Sequence, residues 1–181
     1  KHQQFLGERA TLLWQRCRRM GGKTKTKIRK IRINKFNVMI TYNTDGVAMP
    51  KLKKRIINRW IKQVAATYGR KVGDIGYMFV DDAKILQVNN EYLGHDYYTD
   101  IITFDYDEDD IVSGDLVISI DTVKSNAELF GKEYEDELHR VIIHGILHLC
   151  GINDKGPGER EIMEANENKA LAMLKALEEK Q

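Results

Sequence analysis

At 181 residues the chain suits one domain with a single sizeable core, and 42% hydrophobic with 31% charged residues reads as soluble and globular rather than fibrous or disordered. No apolar run approaches a membrane span or a signal-peptide core, and two cysteines in unrelated settings, Cys17 and Cys150, argue against a disulfide framework and for a reducing cytoplasm. The net charge of +2 hides an asymmetry: residues 1–35 carry 12 Lys/Arg against one acid, Glu8, a balance of +11, which leaves −9 for the rest.

Residues 1–38 show little apolar periodicity after Trp14, and Arg16-Cys17-Arg18-Arg19 and Lys23-Thr24-Lys25-Thr26-Lys27 look solvated. This basic arm is expected to be disordered. It either holds RNA phosphates or is a leader ahead of a native start at Met39, and the second reading is preferred because the domain pattern begins there. The domain then occupies 39–181. Val38 to Tyr42 reads as a strand closed by the turn residues Asn43-Thr44-Asp45-Gly46. Pro50 opens a helix to about Tyr68, with Leu52, Ile56, Ile57, Trp60, Ile61 and Val64 on one stripe. Gly73 and Asp74 break the chain, and Ile75 to Val80 is a second strand. Asp81 or Asp82 caps a short helix containing Ile85, Leu86, Val88 and Asn89.

Thr99 to Phe104 is a third strand, Asp107 to Asp110 an acidic turn, and Gly114 to Ile120 a fourth strand. Asp121 or Ser119 caps a helix from about Asp121 to Phe130, and Glu133 to Cys150 forms the next. A last amphipathic helix, about Gly158 to Glu178, turns Ile162, Ala165, Met173, Leu174 and Leu177 inward. This order gives an α/β (α+β) domain: a small mixed four-stranded sheet with helices packed on it.

The chemistry concentrates between Val141 and Asp154. His144 and His148 are four apart in an apolar run, so a helix places both on one face. Gly151 then ends that helix, since positive φ costs glycine nothing, and the chain can turn Asp154 back toward the imidazoles. Two histidines and a carboxylate leave a fourth coordination position open, the arrangement of a catalytic zinc. A zinc protease of the His-Glu-x-x-His type needs its glutamate where this chain has Gly145, so peptide hydrolysis is disfavoured. Gly145 could instead let backbone or substrate approach closely. Metal-assisted phosphodiester cleavage remains open.

Glu137 and Arg140 lie seven and four before His144 on the same helix face, either as catalytic groups or as an exposed helix pair. Asp100 and Asp115, near the starts of adjacent strands, are as readily turn and cap residues, and Cys150 reads as a buried thiol rather than a ligand.

Three segments resemble the YbeY family of bacterial rRNA-maturation endoribonucleases. His144-Gly145-Ile146-Leu147-His148-Leu149-Cys150-Gly151-Ile152-Asn153-Asp154 resembles its His-Gly-x-Leu-His-Leu-x-Gly-Tyr-Asp-His signature. Thr99-Asp100-Ile101-Ile102-Thr103-Phe104 and Gly114-Asp115-Leu116-Val117-Ile118-Ser119 resemble its Thr-Asp-Val-Leu-Ser-Phe and Gly-Asp-Ile-x-Ile-Ser. Glu137 falls where that family usually has a glutamate. The resemblance runs from about Met39 to the C-terminus. It implies a single-strand-specific endoribonuclease holding one Zn2+ through His144, His148 and Asp154. The implied role is 16S rRNA 3′-end maturation and ribosome quality control on the small subunit, in the bacterial cytoplasm. No membrane partner and no stable oligomer are expected.

The sequence departs from the family pattern in three places. Asp154 replaces the family's third histidine, Asn153 replaces its aspartate, and Leu93 stands where the family has an arginine. A carboxylate ligand is legitimate for zinc and favours harder metals somewhat. Arg140 and Lys155 are the nearest candidates for the missing cation.

Overall fold

The computed structural model describes residues 39–94 and 96–180. The basic arm lies outside the described residues. The elements are β1 (Ile40–Thr44), α1 (Lys54–Thr67), β2 (Lys71–Val80), α2 (Asp82–Val88), a single π-helical turn (Asn89–Leu93), β3 (Ile101–Asp105), β4 (Ile111–Ser119), α3 (Ile120–Leu129), α4 (Tyr134–Leu149) and α5 (Glu159–Glu178). The four strands form one mixed sheet in the order β1-β2-β4-β3. β2 is parallel to both β1 and β4, while β3 and β4 form an antiparallel hairpin across the acidic turn.

The expected α+β architecture is therefore present. Several boundaries move. Gly73 and Asp74 do not break the chain. They form a register shift inside β2, between Val72 and Ile75, and the Asp74 carboxylate accepts the Met39 N–H at 3.2 Å. A bulge absorbs an extra residue without ending the strand. α1 starts at Lys54 rather than at Pro50, and Leu52 packs on the core ahead of it. Between the alternative caps, Asp81 accepts the Lys84 N–H at 2.8 Å and Ser119 accepts the Thr122 N–H at 3.2 Å.

One sheet face carries Ile75, Tyr77, Phe79, Leu116 and Ile118, which alternate inward along β2 and β4 and are buried beneath the helices. Trp60 of α1 is fully buried, and its indole N–H donates to the Ala170 carbonyl of α5 at 2.7 Å. That bond satisfies the one polar atom of a large core side chain and ties two helices together. The opposite face is covered in part by α2, where Val80, Ile85, Ile102 and Val117 form a smaller cluster.

α4 lies directly on the sheet, and Gly145 is the reason it can. A Cβ built there meets Leu116 Cδ2 at 2.1 Å, Ile101 Cδ1 at 2.8 Å and Thr103 Oγ1 at 3.2 Å. The glycine therefore gives close approach to the sheet, and the glutamate of a zinc protease has no room at this position. Gly145→Ala is expected to lower stability by about 1–3 kcal/mol through overpacking, despite alanine's better helix propensity. A urea titration checks this; a variant as stable as the parent would show that the sheet yields freely.

The inward stripe of α5 also differs from the sequence expectation. Met163, Glu167, Ala170, Leu174 and Leu177 are buried, whereas Ile162 is 55% exposed and Ala165 is exposed. Leu174 and Leu177 were placed correctly, and Met173 is half-buried. The stripe passes through a carboxylate, Glu167, which an apolar pattern skips.

Candidate metal centre

α4 delivers its two histidines on a rigid, buried support. After Leu149 the chain reverses at Gly151, whose φ is +90°, with the Gly151 N–H bonded to the His148 carbonyl and the Ile152 N–H to that of Leu147. Only glycine takes that φ readily. The turn brings Asp154 Oδ2 to 3.6 Å from His144 Nε2 and 3.7 Å from His148 Nε2. The two rings stand nearly perpendicular, 4.4 Å between centroids. The ligand atoms of His144, His148 and Asp154 all lie within 4.8 Å of one another, and this group could hold a metal ion. A four-coordinate zinc with bonds of about 2.0–2.1 Å sets its ligand atoms about 3.3 Å apart, so small movements would close the set.

The outer hydrogen bonds agree with that use. His148 Nδ1 lies 2.9 Å from the Ile152 carbonyl, which can only accept, so the proton sits on Nδ1 and the Nε2 lone pair faces Asp154. His144 Nδ1 lies 2.7 Å from Glu167 Oε1, which assigns it the same tautomer. A carboxylate or carbonyl behind each ligating imidazole is the usual outer arrangement of a histidine metal site. Burial pushes His148 below the ordinary imidazole range, with the charge of His144 adding to it. Burial also pulls His144 down, but the hydrogen bond and charge of Glu167, with Asp100 and Asp154, outweigh it and leave His144 raised. The residues present fit a borderline metal such as zinc: two neutral nitrogens and one anionic oxygen, partly open to solvent.

Glu137 and Arg140 do not form an exposed pair. Glu137 is 4% exposed, with one carboxylate oxygen lacking a hydrogen-bond partner among the described residues. Burial raises its carboxyl above the usual range, against the pull of Arg140. Arg140 is held by Glu167 Oε2 at 2.7 Å and faces Glu137 Oε2 at 3.6 Å. Glu167 thus bridges His144 and Arg140, and it is the residue sequence reasoning missed. Its signal was faint: a glutamate in helical phase with Met163, Ala170 and Leu174.

Asp100 comes close to the centre. Its carboxyl is raised by burial and partly lowered by the charge of His144. Asp115 does not come close. It projects from the face opposite Leu116, where a Cβ on Gly76 would strike its Oδ1 at 2.2 Å, and it accepts a 3.4 Å hydrogen bond from Tyr106. Cys150 is half-buried, its thiol pushed up to about 11 by burial, and it stands outside the ligand group. Lys155 is exposed beside Asp154. It forms no ion pair among the described residues, and its charge lowers the pKa of His148.

Comparison with known proteins gives the family. The family model described as Endoribonuclease YbeY matches residues 39–175. A protein named Endoribonuclease YbeY from Bacteroides thetaiotaomicron is 69% identical over 134 residues, covering 74% of this chain and 98% of the relative. One of the same name from Porphyromonas gingivalis strain W83 is 56% identical over 136 residues, covering 75% of this chain and 90% of the relative. The solution structure of TM1509 from Thermotoga maritima superposes with a TM-score of 0.53 at 25% identity, covering 76% of this chain and 93% of that one. With its histidine helix, returning carboxylate and mixed sheet, the chain belongs to the YbeY family of endoribonucleases.

Proposed function

We propose that this protein is a metal-dependent, single-strand-specific endoribonuclease that takes part in 16S rRNA 3′-end maturation and ribosome quality control, acting as a monomer on the small subunit in the bacterial cytoplasm. The observation that carries the reading is the convergence of His144 Nε2, His148 Nε2 and Asp154 Oδ2 on one point. No helix among the described residues is long and apolar enough to cross a membrane. We assign one Zn2+ to the three ligands. When bound, the metal supplies Lewis-acid polarisation of a phosphoryl oxygen.

The chain's own residues do the rest. Glu167 and the Ile152 carbonyl hold protons on the two Nδ1 atoms, so both Nε2 atoms remain acceptors. Arg140 supports this centre through Glu167, and Glu137 lies behind Arg140. Both act as positioning groups rather than as groups that touch the phosphate. Lys155 replaces the cation absent at Leu93. It is exposed beside the ligands, whereas the guanidinium of Arg140 already faces two carboxylates.

The test compares single-stranded and fully duplex RNA as substrates for the zinc-loaded protein, with His144→Ala as a control for contaminating nuclease. Cleavage confined to single strands and absent from His144→Ala is expected; equal cleavage by the variant would refute the assignment. For Lys155, Lys155→Ala should weaken single-strand binding and reduce the slope of log affinity against log salt by about 0.7, while Lys155→Arg keeps both near the parent. An unchanged salt slope would remove Lys155 from the phosphate path.

A further inference from the structure

The segment leading into β3 exposes two adjacent aromatic rings, Tyr97 at 53% and Tyr98 at 62%. Large apolar side chains held this open need an explanation when they stand beside a reactive site. Their position follows from the packing of α4. Gly145, the neighbour of His144, rests on Ile101 and Thr103, so the start of β3 lies against the histidine turn. Asp100 precedes Ile101, and its charge acts on His144. Tyr98 is two residues further along, within about 7 Å of Asp100 along an extended chain, which is close to the length of one nucleotide.

The segment is held in place. Asn89, 2% exposed, donates from Nδ2 to the Tyr97 carbonyl at 2.8 Å. Asn90 Nδ2 donates to Asp96 at 3.1 Å, the Thr99 hydroxyl donates to the Ile101 carbonyl at 3.1 Å, and the Ser119 N–H donates to the Asp100 carbonyl at 2.9 Å. A tethered backbone carrying exposed rings is preorganised, so little ordering cost remains for whatever lies on them.

The charge around the rings selects the ligand. Residues 96–100 contain two aspartates and no lysine or arginine, so the segment repels a phosphate. A face that is aromatic, anionic at its edges and adjacent to a phosphodiester-cleaving centre suits the uncharged π-face of a nucleobase, which stacks on tyrosine whatever its sequence. Stacking also requires that the base be out of a duplex.

We infer that Tyr98, beside Tyr97, forms a subsite on which one unpaired nucleobase of the RNA substrate stacks, next to the scissile phosphate. This deepens the endoribonuclease reading and rests on it. The subsite supplies a physical basis for single-strand preference, since a paired base cannot lie flat on the ring.

The test uses the full-length, zinc-loaded protein and a short fluorescein-labelled 2′-O-methyl single-stranded oligonucleotide, read by anisotropy. Tyr98→Ala should weaken binding by about 5- to 150-fold, the range for losing one base stack. Tyr98→Trp should restore or exceed parental affinity, and Tyr98→Leu should behave like alanine, because bulk without a π-face does not stack. The Tyr98→Ala loss should persist at high salt, unlike that of Lys155→Ala. An oligonucleotide with an abasic position at the subsite should lose affinity for the parent but no more for Tyr98→Ala. Parental binding and cleavage with Tyr98→Ala unchanged would overturn this inference alone. Rescue by Tyr98→Leu equal to Tyr98→Trp would also overturn it, in favour of an apolar protein contact. A parent that neither binds nor cleaves single strands would overturn it together with the endoribonuclease reading.

Discussion

Asp154→Asn is expected to lose zinc affinity by more than about 100-fold, beyond the ~10–100-fold typical of removing an outer hydrogen-bond partner. The substitution keeps size and hydrogen-bonding capacity and removes only the charge and the anionic donor. Asp154 Oδ2 is placed almost equally from both Nε2 atoms, at 3.6 and 3.7 Å, so no other side chain in the group can take over. Asp154→His should keep or raise zinc affinity, because it supplies an imidazole nitrogen at the position where the family pattern has one. Chelator competition on the folded proteins reads both. If Asp154→Asn holds zinc as tightly as the parent while His144→Ala does not bind it, Asp154 only caps its turn and the third ligand lies elsewhere.

Glu167→Gln should produce the second-largest effect. The carboxylate receives the Nδ1 proton of His144 at 2.7 Å and the Arg140 guanidinium at 2.7 Å, and these partners hold its own pKa below the usual range against the effect of burial. A neutral amide keeps the shape but can present its NH2 to His144, which reverses the tautomer and turns the Nε2 lone pair into an N–H. Zinc affinity is therefore expected to fall about 10–100-fold. Stability is expected to fall by about 1–3 kcal/mol, because a charge-assisted bond to a buried group is weakened. The two readouts separate the roles. Arg140→Lys should cost stability with a smaller change in zinc affinity, because lysine still neutralises Glu167 and leaves its contact with His144 intact. Equal zinc affinity in Glu167→Gln and the parent would reduce Glu167 to a packing role.

Much of this was legible in residue order, and the failures have physical causes. The histidine pair, the helix-ending glycine and the returning Asp154 are local in sequence, so helical periodicity and turn chemistry located them without tertiary information. The four strands were located for the same reason, but not their ends: Asn43 and Thr44, read as turn, belong to β1, and β4 starts at Ile111. At Gly73–Asp74 two turn-forming residues bulge from β2, which pairs with β4 on both sides of them. Glu167 was invisible because its partner is 23 positions away on another helix and its charge hides it from an apolar stripe. The same charge misplaced the inward face of α5 at Ile162. Gly145 was read as allowing close approach of backbone or substrate, and its empty side faces Leu116 of the sheet; which face of α4 meets the sheet is a tertiary fact. Arg140 and Glu137 share α4 with the histidines, but the link from Arg140 to His144 runs through Glu167 and so depends on α5.

In the proposed function, RNA cleavage depends on a metal held by His144, His148 and Asp154. The most direct measurement is metal analysis of the purified full-length protein, in parallel with cleavage of single-stranded RNA before chelation, after chelation and after zinc is returned. One zinc per chain, loss of cleavage with the chelator, recovery with zinc, and joint loss of metal and cleavage in His144→Ala are expected. Cleavage that persists in the metal-stripped protein, or in a folded His144→Ala that binds no zinc, would contradict that dependence.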